Sequence, residues 1–145
     1  MTGAFSFHAD WVVAAPVDEV QGVLVDLEHY PEWWPQVRAV AKIDDDHARV
    51  LCRARLPYTL DLVLTAVRRE PRLLETGIEG DLVGVAQWRL TEADGGTRLE
   101  YAQDVVLARR PLRVTAGLLR PVMEWNHRAM MSGCLVGLRR RLENG

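Results

Sequence analysis

The sequence predicts an α+β domain in which a largely antiparallel sheet packs against one long C-terminal helix. Three observations carry this. Short runs that alternate apolar and polar residues recur from Phe5 to Leu107, and period two marks a strand with one buried face. The turns between the runs are of hairpin length, which antiparallel pairs allow and parallel pairs do not. The last fifth, Pro111 to Leu142, changes period: at about 100° per residue, Leu119, Val122, Met123, Asn126, Met130, Gly133, Cys134 and Gly137 share one face. Arg120, Glu124, Arg128, Ser132 and Arg139 lie opposite or at its borders. An apolar stripe that wide needs a large partner surface, and the strands supply one.

The elements follow in order. Phe5 to Ala14 is a strand with Phe5, Phe7, Ala9, Trp11 and Val13 inward. Pro16 opens a helix at the favoured first position, with Asp18 and Glu19 at the positive end of its dipole and Val17, Val20, Val23, Leu24 and Leu27 as its apolar face. A second short helix runs from Pro31 to Trp34 and ends at Pro35, a residue that cannot continue it. About six strands follow. Val37, Ala39, Ala41 and Ile43 alternate inward up to the turn Asp44-Asp45-Asp46, and Ala48, Val50, Cys52 and Ala54 return. Leu60, Leu62, Leu64 and Ala66 mark the next strand, then Leu74, Thr76 and Ile78. After Gly80-Asp81 come Leu82, Gly84, Ala86, Trp88 and Leu90; after the hairpin signal Asp94-Gly95-Gly96 come Leu99, Tyr101, Gln103, Val105 and Leu107. Pro121 removes one bond from the final helix, so a kink is expected there unless the helix begins at Pro121. Leu112 to Arg120 would then tilt as a flap.

At 145 residues the chain is expected to form one domain, 1–145, able to bury roughly 68–70% of its unfolded surface. Its 48% hydrophobic and 26% charged content is ordinary for a globular protein, and a net charge of -2 argues against nucleic acid as the main partner. Lys42 is the sole lysine, which reads as codon bias. Cys52 and Cys134 fall on inward positions and are expected as reduced packing residues. The chain opens without the charged and apolar segments of a signal peptide, and Arg113, Arg120, Glu124 and Arg128 interrupt the apolar C-terminal third, so no membrane insertion is expected. A bacterial cytoplasm is the expected location. A homodimer is possible on this sequence but nothing in it argues for one.

The inward phases are almost free of charge. Their polar members are Thr76, Tyr101, Gln103 and, on the helix, Asn126; Arg68 joins them only if the alternation reaches the end of its strand. Acid–base catalysis needs a titratable group in the pocket, whereas neutral donors and acceptors suit an apolar ligand oriented by a few hydrogen bonds. An amide, thioethers and glycines on the helix's buried stripe suggest a helix lying across a hollow. The expected cavity is lined by Tyr30, Trp33 and Trp34 at its mouth and by Cys52, Leu62, Leu64, Thr76, Ile78, Trp88, Tyr101 and Gln103 from the strands. Met123, Asn126 and Met130 complete it from the helix. Each has a plainer role: Asn126 can satisfy backbone groups, Trp88 and Tyr101 can be core, and Gly133 and Gly137 can permit close approach of helix and sheet. His127 reads as a hydrogen-bonded structural residue. His8, His29, His47 and His127 show no ligand spacing, so no metal is expected, and without GxGxxG, P-loop or GxSxG no cofactor is either.

Trp11-Val-Val-Ala-Ala-Pro16, the following Val20…Val23-Leu24…Asp26 and Tyr30-Pro-Glu-Trp-Trp-Pro35 resemble the opening of the SRPBCC (START-like, helix-grip) superfamily. Trp125-Asn126-His127, Met130-Met131, Gly133 and Gly137-Leu138-Arg139 resemble the terminal helix of its bacterial polyketide cyclase/dehydrase-like members. The resemblance implies a helix-grip fold, a curved sheet wrapped around the long helix with a ligand cavity between them. Aromatase/cyclases of this group fold a carbonyl chain there, using an arginine and tyrosines. Tyr30 matches their aromatic position after the first helix, Val37 stands where they carry a tyrosine, and the strand Leu60 to Val67 has no arginine at its middle. Three functions follow: a binder or carrier of a small neutral apolar molecule, a cyclase-like enzyme working through Arg68 or Tyr101, or an interaction domain with a collapsed cavity.

Overall fold

The computed structural model describes residues 4–56, 59–108 and 116–144. Seven strands form one sheet: β1 (Ala4–Val13), β2 (Val37–Lys42), β3 (His47–Cys52), β4 (Leu60–Glu70), β5 (Leu73–Gly80), β6 (Leu82–Ala93) and β7 (Gly96–Leu107). Their order is β1-β7-β6-β5-β4-β3-β2, every neighbouring pair antiparallel. From β2 on, each strand pairs with the next in sequence, as hairpin-length turns require. Gly80 (φ 110°) and Gly95 (φ 77°) supply the left-handed backbone at two of those turns, a conformation side chains disfavour. Helices α1 (Val17–Val25) and α2 (Tyr30–Trp33), joined through a 3₁₀ turn at Leu27–His29, separate β1 from β2, and α3 (Ala116–Asn144) ends the chain.

Pro16 stands one residue before α1, not at its first position: its extended backbone (φ -62°, ψ 154°) caps the helix, and its carbonyl accepts from Glu19 and Val20 N–H at 3.1 Å. Leu27 consequently falls in the 3₁₀ turn. α3 runs through Pro121, so the helix does not begin there. Residues 112–115 of the expected flap lie outside the described residues, as do the side chains of its remainder, Leu119 among them.

The inward phases of β1, β3, β5, β6 and β7 are those the alternation assigns, with Leu90 and Leu99 fully buried. β2 differs. A register shift between Val37 and Ala39 places two residues where one was expected, and a bulge reverses the facing of everything beyond it. Val40 and Lys42 therefore pair with the inward Val50 and Ala48, while Ala39, Ala41 and Ile43 are exposed. A second bulge in β4, between Ala66 and Arg68, leaves Val67 exposed and sets Arg68 opposite Glu75. Ala54 lies past the end of β3.

The core forms two clusters, one around Val20, Trp33, Leu99, Cys134 and Leu138, the other around Phe5, Leu60, Ile78 and Met123; Leu64, Ala86 and Met130 pack against both. At Gly133 and Gly137 the close approach of α3 is to α2 and the residues just after it, not to the sheet. A Cβ on Gly137 would lie 1.6 Å from the Trp33 carbonyl oxygen, and one on Gly133 would meet the Gln36 side chain. These glycines mark tight packing. The hollow lies toward the other end of the helix, where Met123, Asn126 and Met130 face it.

Candidate ligand cavity

A hollow of about 310 Å³ lies between the sheet and α3 and takes its lining from both core clusters. Its size is at the low end for small-molecule sites. Of the residues expected there, Tyr30, Trp34, Cys52, Leu62, Leu64, Thr76, Ile78, Trp88, Tyr101, Gln103, Met123, Asn126 and Met130 line it. Trp33 does not: its backbone abuts Gly137 and its ring packs on Tyr30 and Trp34 at 4.9 and 5.7 Å between centroids. The alternation supplies the strand residues, and Tyr30 and Trp34 stand at the two ends of α2, with Pro31 in its first turn. Trp34 Nε1 donates to the Met130 carbonyl at 2.9 Å, pinning α2 to α3.

Sequence reasoning missed His127 as a cavity residue. Among the described residues its ring has no hydrogen-bond partner, contrary to expectation. It stacks on Phe7 at 3.9 Å and 8° and lies 6.1 Å from Tyr101, and it lines the hollow. Burial pushes its pKa down to about 4, since desolvation disfavours the imidazolium, so the ring is neutral at pH 7. Burial likewise raises the Tyr30 and Tyr101 phenols far above their ordinary range. Tyr101 donates to Gln103 Oε1. Both thiols are free, with Cys52 pushed up to about 12 and Cys134 well above its ordinary value by burial.

Asn126 performs the plainer role. Its Oδ1 accepts from the backbone N–H of Arg55 at 2.7 Å and of Leu56 at 2.9 Å, tying the chain after β3 to the helix. Asn126→Leu should therefore cost about 1–2 kcal/mol in a denaturant titration, because the buried Leu56 N–H is left without an acceptor. An unchanged midpoint would show that water or another group replaces the amide.

Among the described residues, every Asp, Glu, Lys and Arg on the lining belongs to one rim. It comprises the segment after α1, the β2–β3 turn with Lys42, the bulged end of β4, and Glu75 beside that end. Lys42 departs from the expectation of charge-free inward phases because the β2 bulge reverses its facing, whereas Glu75, on the outward phase of β5, reaches the rim beside Arg68, which the β4 bulge sets opposite it. Each rim cation already has a partner: Arg69–Asp46 at 2.9 Å, Arg68–Glu70 at 3.2 Å, Arg68–Glu75 at 3.7 Å and Lys42–Asp45 at 3.4 Å. Among the described residues no cluster of three or more His, Cys, Asp or Glu side chains could hold a metal ion, and no helix is long and apolar enough to cross a membrane.

The fold is shared with solved structures. A protein from Thermus thermophilus superposes with a TM-score of 0.83 at 18% identity, covering 97% of this chain and 98% of that one. The Zhui aromatase/cyclase from Streptomyces sp. R1128 gives 0.80 at 18%, covering 97% and 94%. A START superfamily protein from Mycobacterium smegmatis gives 0.72 at 17%, covering 98% of each. No curated protein sequence matches the chain significantly. Residues 4–143 match the family described as polyketide cyclase / dehydrase and lipid transport, and the chain belongs to that family.

Proposed function

We propose that the chain binds and carries a small, mostly apolar, neutral molecule in the hollow between the sheet and α3. One observation carries this reading: the interior is apolar with neutral polar atoms, while all charge sits on a rim whose cations are already paired. A carboxylate entering the hollow would shed its water with no cation to receive it. The open volume also speaks against a collapsed cavity.

Neutral polycyclic molecules should quench or shift the fluorescence of Trp34 and Trp88, which line the hollow. Binding should carry the negative heat-capacity change of apolar burial. Carboxylated analogues of the same molecules should bind more weakly. Tighter binding of the acids would overturn the reading, because an arginine would then reach the ligand. Native mass spectrometry of protein from its own host would show a co-purified ligand directly.

A second reading, a cyclase-like enzyme acting on a carbonyl chain, is favoured by the placement of two proton-bearing rings, Tyr101 and His127, on the lining. Arg68 serves it less well, being 53% exposed and paired with Glu70 and Glu75. Turnover of a carbonyl probe that disappears in Tyr101→Phe would favour this reading.

A further inference from the structure

Charge is divided between the two ends of the chain. The first 37 residues hold six Asp and Glu and no Lys or Arg, whereas residues 109–145 hold eight Arg against two Glu. Those ends are far apart in sequence, and the fold sets them side by side. Helix α2 lies against α3, with the Trp33 carbonyl over Gly137 and Trp34 Nε1 on the Met130 carbonyl. The acidic surface runs over α1, the 3₁₀ turn and α2, where Asp18, Glu19, Asp26, Glu28 and Glu32 are exposed and His29 is the one basic residue. The basic surface is the outer face of α3. Trp125, Arg128, Ser132, Val136, Arg139 and Arg140 are all exposed there, Ser132 and Val136 standing about two and three turns beyond Trp125. Among the described residues the ion-paired arginines are Arg49, Arg68, Arg69, Arg72 and Arg98, all in the sheet or its turns. None belongs to α3, and Arg139 reaches only the Val12 carbonyl, at 3.2 Å. Trp125 is 46% exposed and Val136 54%, and the Arg55 guanidinium stands 5.7 Å from the Trp125 ring centroid. Tryptophan and arginine are the residue types that anchor protein interfaces.

Going beyond the carrier reading, we propose that two copies of the chain associate through these surfaces, the basic stripe of α3 on each copy seated against the acidic α1–α2 surface of the other. A basic and an acidic patch side by side on one molecule are self-complementary about a two-fold axis that passes between them, and such a contact closes as a dimer. The complementary charges set the register, while Trp125 and Val136 supply apolar area within the basic half. An anionic lipid surface is a poorer match, since a plane that meets the α3 arginines also meets the α1–α2 carboxylates beside them.

Sedimentation velocity provides the test. At about 0.01 M salt the unmodified protein should pass from one chain to two as its concentration rises, and at about 1 M salt, where charges are screened beyond about 3 Å, its Kd should rise about tenfold or more. One variant carries Arg128→Glu with Arg140→Glu, the other Glu28→Arg with Glu32→Arg. All four positions are exposed, so both variants should keep the Tm of the unmodified protein. Each alone should remain a single chain, because like charges then face one another in both contacts. Mixed in equal amounts, the two should form a heterodimer, because acid meets base again in both contacts. A misfolded variant cannot show that rescue. Trp125→Ala leaves every charge in place and should weaken the dimer by about tenfold. The proposal is overturned by an unmodified protein that stays single throughout, by association that salt or charge reversal leaves unchanged, by mixed variants that stay apart, or by a mass that grows past two chains. Binding of the single chain to phosphatidylserine vesicles, lost in the Arg128→Glu, Arg140→Glu protein, would assign the stripe to a membrane and overturn it as well.

Discussion

Gly137→Leu should destabilise the fold by about 3 kcal/mol, at the upper end of the cost of overpacking a core, and lower Tm by roughly 6–12 °C for a domain of this size. The obstruction is backbone: a Cβ at this position would stand 1.6 Å from the Trp33 carbonyl oxygen, and a carbonyl cannot rotate aside as a side-chain end can. The intervening surfaces are α2 and α3, so they must separate. Separation strains the Trp34 Nε1 bond to Met130, 2.9 Å long, and uncovers Trp33 and Leu138, which are 6% and 0% exposed. Helix propensity works against this loss, since leaving glycine gains about 1 kcal/mol in a helix interior. Gly22 in α1 isolates that gain, because nothing lies within 4 Å of its added Cβ. Gly22→Ala should stabilise by about 0.5–1 kcal/mol. The two helical glycines should thus respond with opposite signs in the same denaturant titration. A neutral Gly137→Leu would mean that α2 and α3 are not in contact.

Most of the sheet is legible in the sequence, because alternation reports a facing that depends on the strand alone. β7 shows this well: Leu99, Tyr101, Gln103 and Val105 are all buried as their spacing requires. The bulges are not legible. Arg38 and Val67 stand beside the register shifts of β2 and β4, and neither is a glycine or proline that would announce a break. A single bulge is enough to move Lys42 from the solvent side to the rim of the hollow. Glycines on the α3 stripe are ambiguous for a different reason. A missing side chain reads alike whether the space is empty or filled by another backbone, and only the position of Trp33, about a hundred residues earlier, settles which. His127 escaped because a helical wheel gives a direction without saying what stands there. Its partners Phe7 and Tyr101 come from β1 and β7, and the burial that makes the imidazole neutral belongs to those strands.

That neutral ring should make the fold acid-sensitive in a window set by His127. Its pKa is about 4 in the folded protein against an ordinary 6.5. Between those values the unfolded chain binds a proton that the folded chain refuses, so stability falls as the pH is lowered. The contribution is fully present above 6.5 and is lost progressively down to about 4. At pH 4.5 the loss relative to pH 7.5 is about 2–3 kcal/mol, each unit of pKa difference corresponding to about 1.4 kcal/mol. Other groups with displaced pKa values do not imitate it. His29 beside Asp26 is raised and fully exposed, so its stabilisation is present at low pH and fades as the pH rises, the opposite sign. Asp10 and Asp44 are lowered from 3.8 by Arg98 and His47, and their contributions fade only below the window. His127→Phe keeps an aromatic ring between Phe7 and Tyr101 and removes the titration. Denaturant titrations at pH 7.5 and 4.5 should show the unmodified protein losing about 2–3 kcal/mol more than the variant. Equal losses in the two proteins would place the imidazole in contact with water and remove the dry stack from the wall of the cavity.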